Sequence, residues 1–242
     1  MAKSKESILL ELKDDDKYYG KLGKMYLSNS DIIHLLTNPM EFKKDLEPTV
    51  PMLQGRYLHT SCFEPEKINT FEVVDCSSRN TNIYKEVGEL CLLQKEVDML
   101  HDMEQALKAN IELSEFLWGR EGDNEVPGIK EIMGNMWKAK ADRVLDDCVV
   151  DLKTTSDIDG FKYSARKYNY DSQAWLYNQI FGKPMIFIVA EKKTNRLGMF
   201  QCSDDFLEYG KQKVVEATKV YNKFFSSKST EDVEQYFKTD IL

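Results

Sequence analysis

Asp142-Arg143-Val144-Leu145-Asp146-Asp147-Cys148-Val149-Val150-Asp151-Leu152-Lys153-Thr154-Thr155 carries the pattern around which the rest of the chain falls into place. Val149, Val150 and Leu152 are strand formers. The period of two in a strand sends Asp151 and Lys153 to one face and Val150 and Leu152 to the other. A carboxylate and an ammonium therefore share a surface. Asp142 closes the preceding alternating run nine residues before Asp151, a hairpin's separation through the polar turn at Asp146-Asp147. Two carboxylates then converge beside one lysine.

That trio suits a hard divalent cation such as Mg²⁺ held by oxygen ligands, with a lysine that orients a water or steadies developing negative charge. Cleavage of a phosphodiester fits it. Downstream, Tyr170-Asp171-Ser172-Gln173-Ala174-Trp175-Leu176-Tyr177 reads as a helix with Tyr170, Gln173 and Tyr177 on one face at i, i+3, i+7.

The Asp-x-Lys triplet alone occurs by chance in many proteins. Three features together, Asp142 within Lys138-Ala139-Lys140-Ala141-Asp142-Arg143, the Asp151-Leu152-Lys153-Thr154-Thr155 strand and the Tyr-x-x-Gln-x-x-x-Tyr helix, resemble the PD-(D/E)xK nuclease superfamily. Within it the closest likeness is to the RecE/exonuclease VIII-like, RecB-like branch. Gly55-x-x-x-His59 resembles that branch's "G-x-x-x-H" helix, which supplies a metal-facing histidine. Ser28-x-Ser30 ahead of Pro39 is similar to a helix common in RecE-like proteins.

The resemblance implies an α/β fold with a restriction-endonuclease-like core: a mixed central sheet flanked by helices, with a helical N-terminal region. Residues 1–242 would form a single nuclease domain, with 1–118 mainly helical, 129–202 the catalytic sheet and 203–242 C-terminal helices. Asp142 and Asp151 would ligate Mg²⁺, for which Mn²⁺ could substitute, with the backbone carbonyl of Leu152 and the ring of His59 as further ligands. Lys153 would position the water. Gln173, with Tyr170 and Tyr177, would orient that lysine or bind the strand being cut. The implied activity is an exonuclease acting on double-stranded DNA ends in recombination or phage replication, as a homo-oligomeric ring and beside a single-strand annealing protein. An endonuclease or single-strand nuclease of the same fold stays open, as does an inactive member that only binds DNA or a recombination partner. Intact Asp142, Asp151 and Lys153 weigh against the inactive form. Some relatives hold an iron–sulfur cluster on a cysteine trio near the C terminus; Cys202 stands alone there, so no cluster is expected.

Composition agrees with a globular chain: 242 residues, 42% hydrophobic and 31% charged, with no apolar run near the ~18 residues that span a bilayer. The first residues contain no signal-peptide core, so a cytoplasmic place in a bacterial or phage-infected cell is expected, without a membrane. The five cysteines include no C-x-x-C pair, which argues against a zinc site and a disulfide framework. A net charge of −8 sits badly with DNA binding, yet residues 128–196 hold twelve Lys and Arg against nine Asp and Glu. The acidic excess lies outside the proposed core.

Along the chain, Asp14-Asp15-Asp16 reads as a solvated loop, and Ser28 as the cap of a helix ending near Pro39. Thr49 caps a helix with Pro51 in its first turn and Gly55 where close approach is permitted. A short strand is expected within 68–75, a polar loop over 76–85, and one or two amphipathic helices over 87–117. Residues 119–128, rich in Gly, Asp, Asn and Pro, read as a loop that carries Glu125; some members of the family it resembles place a glutamate before the first catalytic strand, which leaves open whether Glu125 joins the site. Strands follow over 129–133 and 136–145, with Lys138, Lys140 and Asp142 on one face where the lysines would suit a phosphate backbone. The basic stretch 161–168, with Phe161, Tyr163 and Tyr168, either touches DNA or forms a solvated helix face. A buried strand at 184–190 should pair with 197–202 across the turn at Thr194-Asn195, before helices at 204–225 and 231–237.

Overall fold

The computed structural model describes residues 3–44, 47–229 and 231–237. Its N-terminal part contains α1 (Lys5–Leu12), α2 (Asp15–Tyr19), α3 (Asn29–Thr37) and α4 (Val50–Phe63). The acidic run is a helix start and not a loop: the Asp14 carboxylate accepts the Lys17 backbone N–H at 3.1 Å, which opens α2. Ser28 and Asp31 form a reciprocal cap on α3, and Thr49 caps α4 through the Met52 N–H. At Gly55 an added Cβ would meet nothing nearer than Thr154 Oγ1 at 3.9 Å, so close approach does not require glycine there.

Next come β1 (Val73–Val74), α5 (Asn82–Val87) and β2 (Leu92–Leu93), which runs parallel to β1. The expected loop over 76–85 thus turns helical at Asn82, because the Thr81 hydroxyl accepts the Tyr84 N–H and Gly88 ends the turn at φ +78°. The long apolar pattern that follows becomes α6 (Gln94–Ala109), α7 (Ile111–Ser114) and a π-helical turn at Glu115–Gly119.

The five-stranded sheet is built from β3 (Gly122–Ile132), β4 (Asn135–Leu145), β5 (Val149–Thr155), β6 (Met185–Glu191) and β7 (Leu197–Gln201), in that spatial order. All neighbours are antiparallel except β5 and β6, whose parallel pairing is bridged by α8 (Phe161–Lys167) and α9 (Tyr170–Phe181). Helix α10 (Asp204–Phe224) closes the core over α9, and a Cβ on its Gly210 would overlap the Asp171 carbonyl. The sheet begins earlier than expected: β3 pairs with β4 back to Gly122↔Leu145, so cross-strand bonding overrides the loop-like composition of 119–128. Pro127 is tolerated because β3 is an edge strand. At the far end, the helix expected over 231–237 is reduced to a 3₁₀ turn at Val233–Gln235. The last stretch of the expected C-terminal helices, 238–242, lies outside the described residues, as do the first two residues of the lead-in.

Alternation along β5 and β6 supplies two cores. Val149, Phe187 and Val189 pack against α3, α8, α9 and α10, whereas Val150, Leu152, Ile186 and Ile188 pack against α4, α6 and α7. Each fully buried aliphatic or Phe side chain contributes about 1.5–3 kcal/mol. The sheet is therefore clamped on both faces, and α4 and α9 approach β5 from opposite sides. No helix among the described residues is long and apolar enough to cross a membrane.

Candidate active site

Strands β4 and β5 part where the carboxylates cluster. Their ladder holds Val144↔Val149 and Arg143↔Val150; the next rung would join Asp142 to Asp151, and it does not form. Asp142 Oδ2 instead accepts the backbone N–H of Leu152 at 2.8 Å. The N–H and C=O of one strand residue leave from the same edge, which directs the Leu152 carbonyl into the same fork.

Three elements bring ligand atoms to this fork. His59 on α4 places Nε2 3.0 Å from Asp142 Oδ1 and 3.1 Å from Glu125 Oε1. Glu125 comes from β3, at the position the register leaves between Asn124↔Arg143 and Val126↔Ala141, with φ +52°. A non-glycine residue in that region carries about 1–3 kcal/mol of backbone strain. One atom each of His59, Glu125 and Asp142 lie within 4.8 Å of one another.

Asp151 and Lys153 form the opposite wall. Lys153 Nζ sits 2.5 Å from Asp151 Oδ2, and Gln173 Nε2 on α9 donates to Asp151 Oδ1 at 2.5 Å. The ammonium also stands 4.9 Å above the Tyr170 ring. Tyr177 borders the fork through the Gln173 side chain, and its buried hydroxyl donates to the Lys140 carbonyl at 2.8 Å, on a stretch of β4 that β5 does not pair. The structure thus brings His59, Asp142, Asp151, Lys153, Leu152, Gln173 and Tyr170 around one fork and sets Tyr177 against the backbone of β4.

Burial and charge shift these groups in opposite directions. Burial pushes Glu125 up to about 7 against the pull of His59. Burial likewise lifts Asp151 to about 6, partly offset by Lys153. Burial opposes the charge of His59, but Asp142 and then Glu125 outweigh it and raise the imidazole to about 9. For Asp142, burial is outweighed by the charge and hydrogen bond of His59, which hold the carboxyl below its ordinary value. Lys153 is held above the ordinary lysine value because Asp151 and Asp142 overcome its burial.

Two expectations fail here. Lys138 and Lys140 do not present their ammonium groups to a phosphate backbone: both are buried, Lys138 donating to the Tyr18 carbonyl and Lys140 pairing with Asp15 at 2.5 Å and Glu125 at 3.7 Å. Helix α2 covers them. Glu125 is not a loop residue but part of the cluster, and composition alone hid it.

A model of the family described as "PDDEXK-like domain of unknown function (DUF3799)" matches residues 33–234. The chain belongs to that family. The PDDEXK-like fold is also that of a candidate exonuclease from Eubacterium rectale, whose structure superposes with a TM-score of 0.65 at 17% identity, over 92% of this chain and 86% of that one. A phage-related exonuclease from Haemophilus somnus 129PT aligns at 16% identity over 82% of this chain and 94% of that one, with a TM-score of 0.37. No curated protein matches the chain.

The donor set of this PDDEXK-like chain fits a divalent cation. Octahedral bonds of about 2.1 Å set adjacent ligands roughly 3 Å apart, close to the 3.0 and 3.1 Å spacings about His59. Glu125 Oε1 is buried and accepts no hydrogen bond, although His59 Nε2 is its neighbour. A buried carboxylate oxygen without a hydrogen bond is costly, and a divalent cation would answer it more fully than the imidazole alone.

Proposed function

We propose that the chain is a divalent-cation-dependent deoxyribonuclease that shortens double-stranded DNA from its ends, with Mg²⁺ as the working ion. The observation that carries this is the fork itself: Glu125, Asp142 and Asp151 converge with His59 and a charged Lys153 where β4 and β5 separate. His59, Glu125 and Asp142 would hold the ion, with Asp151 and the Leu152 carbonyl completing its surroundings. A divalent ion bound there supplies positive charge to a phosphate and makes a water more acidic.

The protein groups have distinct tasks. Lys153 keeps its proton near neutral pH, so it acts as a hydrogen-bond donor to the phosphate or the incoming water and not as a base. Gln173 holds the Asp151 carboxylate in one orientation and so fixes the lysine paired with it. Tyr170 gives that ammonium a ring to rest on.

The exonuclease description of the Eubacterium rectale relative supports action at ends. With a net charge of −8 one copy has little basic surface for staying on DNA. We therefore place the enzyme in a closed homo-oligomer around the duplex, in recombination or phage replication beside a single-strand annealing protein, as the RecE-like resemblance implies. Incubation with linear and covalently closed duplex, in Mg²⁺ and in EDTA, tests the proposal. Loss of linear DNA alone, in Mg²⁺ alone, is expected. Equal attack on closed circles would make it an endonuclease, and DNA binding without cleavage would make it an inactive member.

A further inference from the structure

Beside the fork lies a surface that the cleavage site does not use. Tyr163 and Tyr168 at α8, and Tyr209 on α10, are 71%, 57% and 50% exposed. Each ring carries a cation: Lys162 lies 5.0 Å from the centre of Tyr163, Lys167 5.8 Å from that of Tyr168, and Arg166 4.6 Å from that of Tyr209. The patch is locally basic although the chain as a whole carries a net charge of −8.

These cations are also left without carboxylate partners among the described residues. Among the described residues, Asp159 pairs with Arg196, Asp171 with Lys213, Glu208 with Lys211 and Glu216 with Lys219. The Asp157 carboxylate accepts the Gly160 N–H. No ion pair among the described residues involves Lys162, Arg166 or Lys167.

The patch is held in place and joined to the site. Lys213 binds the Arg166 carbonyl, Asn169 Oδ1 and Asp171 Oδ1 at 2.7 to 2.8 Å, which fixes the turn carrying Tyr168. Tyr168 lies 6.1 Å from Tyr170, and the Tyr170 ring lies 4.9 Å from the Lys153 ammonium. Two ring contacts thus lead from Lys153 to an exposed aromatic surface.

We propose that this face binds an unpaired DNA strand, with bases stacked on Tyr168 and Tyr163 and phosphates drawn to Lys162, Arg166 and Lys167. Stacking needs a free π-face, which interior base pairs of a duplex do not offer and a separated strand does. The proposal rests on the nuclease reading and extends it: the strand that leaves or enters the fork is single-stranded within reach of α8.

The test measures binding without cleavage. Affinity for a labelled single-stranded oligonucleotide and for a blunt duplex of equal length is measured by anisotropy in EDTA, for the wild type, Tyr163→Ala/Tyr168→Ala and Lys162→Ala/Lys167→Ala. The tyrosine pair should weaken single-strand binding at least about tenfold and duplex binding less than threefold. The lysine pair should reduce the slope of log affinity against log salt by about 1.4 for a single strand. All four side chains are exposed, so the fold should survive. Unchanged single-strand affinity in both variants overturns the proposal, as does an equal loss for duplex, which would make the face a duplex contact. Since no cleavage is read, a chain that never cuts DNA can still show the expected loss.

Discussion

The Gln173 amide on α9 donates to Oδ1 of Asp151 on β5 at 2.5 Å, while Lys153 occupies Oδ2 of the same carboxylate. A helix on one face of the sheet thereby sets the rotation of the catalytic-strand carboxylate. Gln173→Leu should lower cleavage about 10- to 100-fold and raise the Mg²⁺ concentration needed, as loss of an outer partner does at metal sites. Stability should also fall by about 1–3 kcal/mol, because the buried Asp151 oxygen loses its donor, so the shifted Mg²⁺ requirement is the readout that a purely structural role would not move. Wild-type rates at every Mg²⁺ concentration would remove Gln173 from the positioning role.

Glu125→Gln separates ion binding from folding. The buried Oε1 of Glu125 accepts no hydrogen bond and burial lifts the carboxyl to about 7, so the group weighs on the ion-free fold even with the His59 ring and the Lys140 ammonium facing it. Calorimetric Mn²⁺ affinity should fall at least ~10-fold, with ion-free thermal stability equal to or above wild type. Unchanged Mn²⁺ affinity would take Glu125 out of the ligand set.

Lys138 gives a pH signature away from the fork. Burial, with Lys43 adding, lowers its pKa from 10.5 to about 8. The unfolded chain then binds more protons than the folded one between those values, so this group makes stability rise with pH across the window, by at most about 1.4 kcal/mol per unit. Below about pH 8 the penalty is fully present. Denaturant melts of wild type and Lys138→Met at pH 7.5, 8.5 and 9.5 should show the mutant's advantage shrinking as pH rises. A constant difference would mean that Lys138 is charged throughout.

Tyr177→Phe should behave as a packing change. It leaves the Lys140 carbonyl without its 2.8 Å donor and should cost about 1–3 kcal/mol of stability. Cleavage should stay within threefold. A hundredfold loss at unchanged stability would return Tyr177 to the substrate.

Much of this arrangement is legible in the sequence because local periodicity and the site coincide at β5: one alternating run both buries Val150 and Leu152 and projects Asp151 and Lys153. The tyrosine–glutamine helix is legible for the same reason, its spacing being its geometry. Glu125 is legible only through the family resemblance, which leaves its membership open, since its placement comes from pairing with a distant strand. The missed signal is the turn at Met133-Gly134, both at positive φ: a two-residue turn followed by an eleven-residue β4 carries β3 back to Gly122. The loss of Lys138 and Lys140 as phosphate contacts depends on α2 folding over them, a contact between residues more than a hundred positions apart that no local pattern encodes.

The most direct test of the account follows an end-labelled linear duplex through time with wild type, Lys153→Ala and Asp142→Asn, each checked for folding, in Mg²⁺ and in EDTA. The account predicts that wild type degrades the duplex in Mg²⁺ only, and that both variants bind it yet cut at least ~10²-fold more slowly. Degradation in EDTA, or wild-type rates in folded Lys153→Ala, would contradict it.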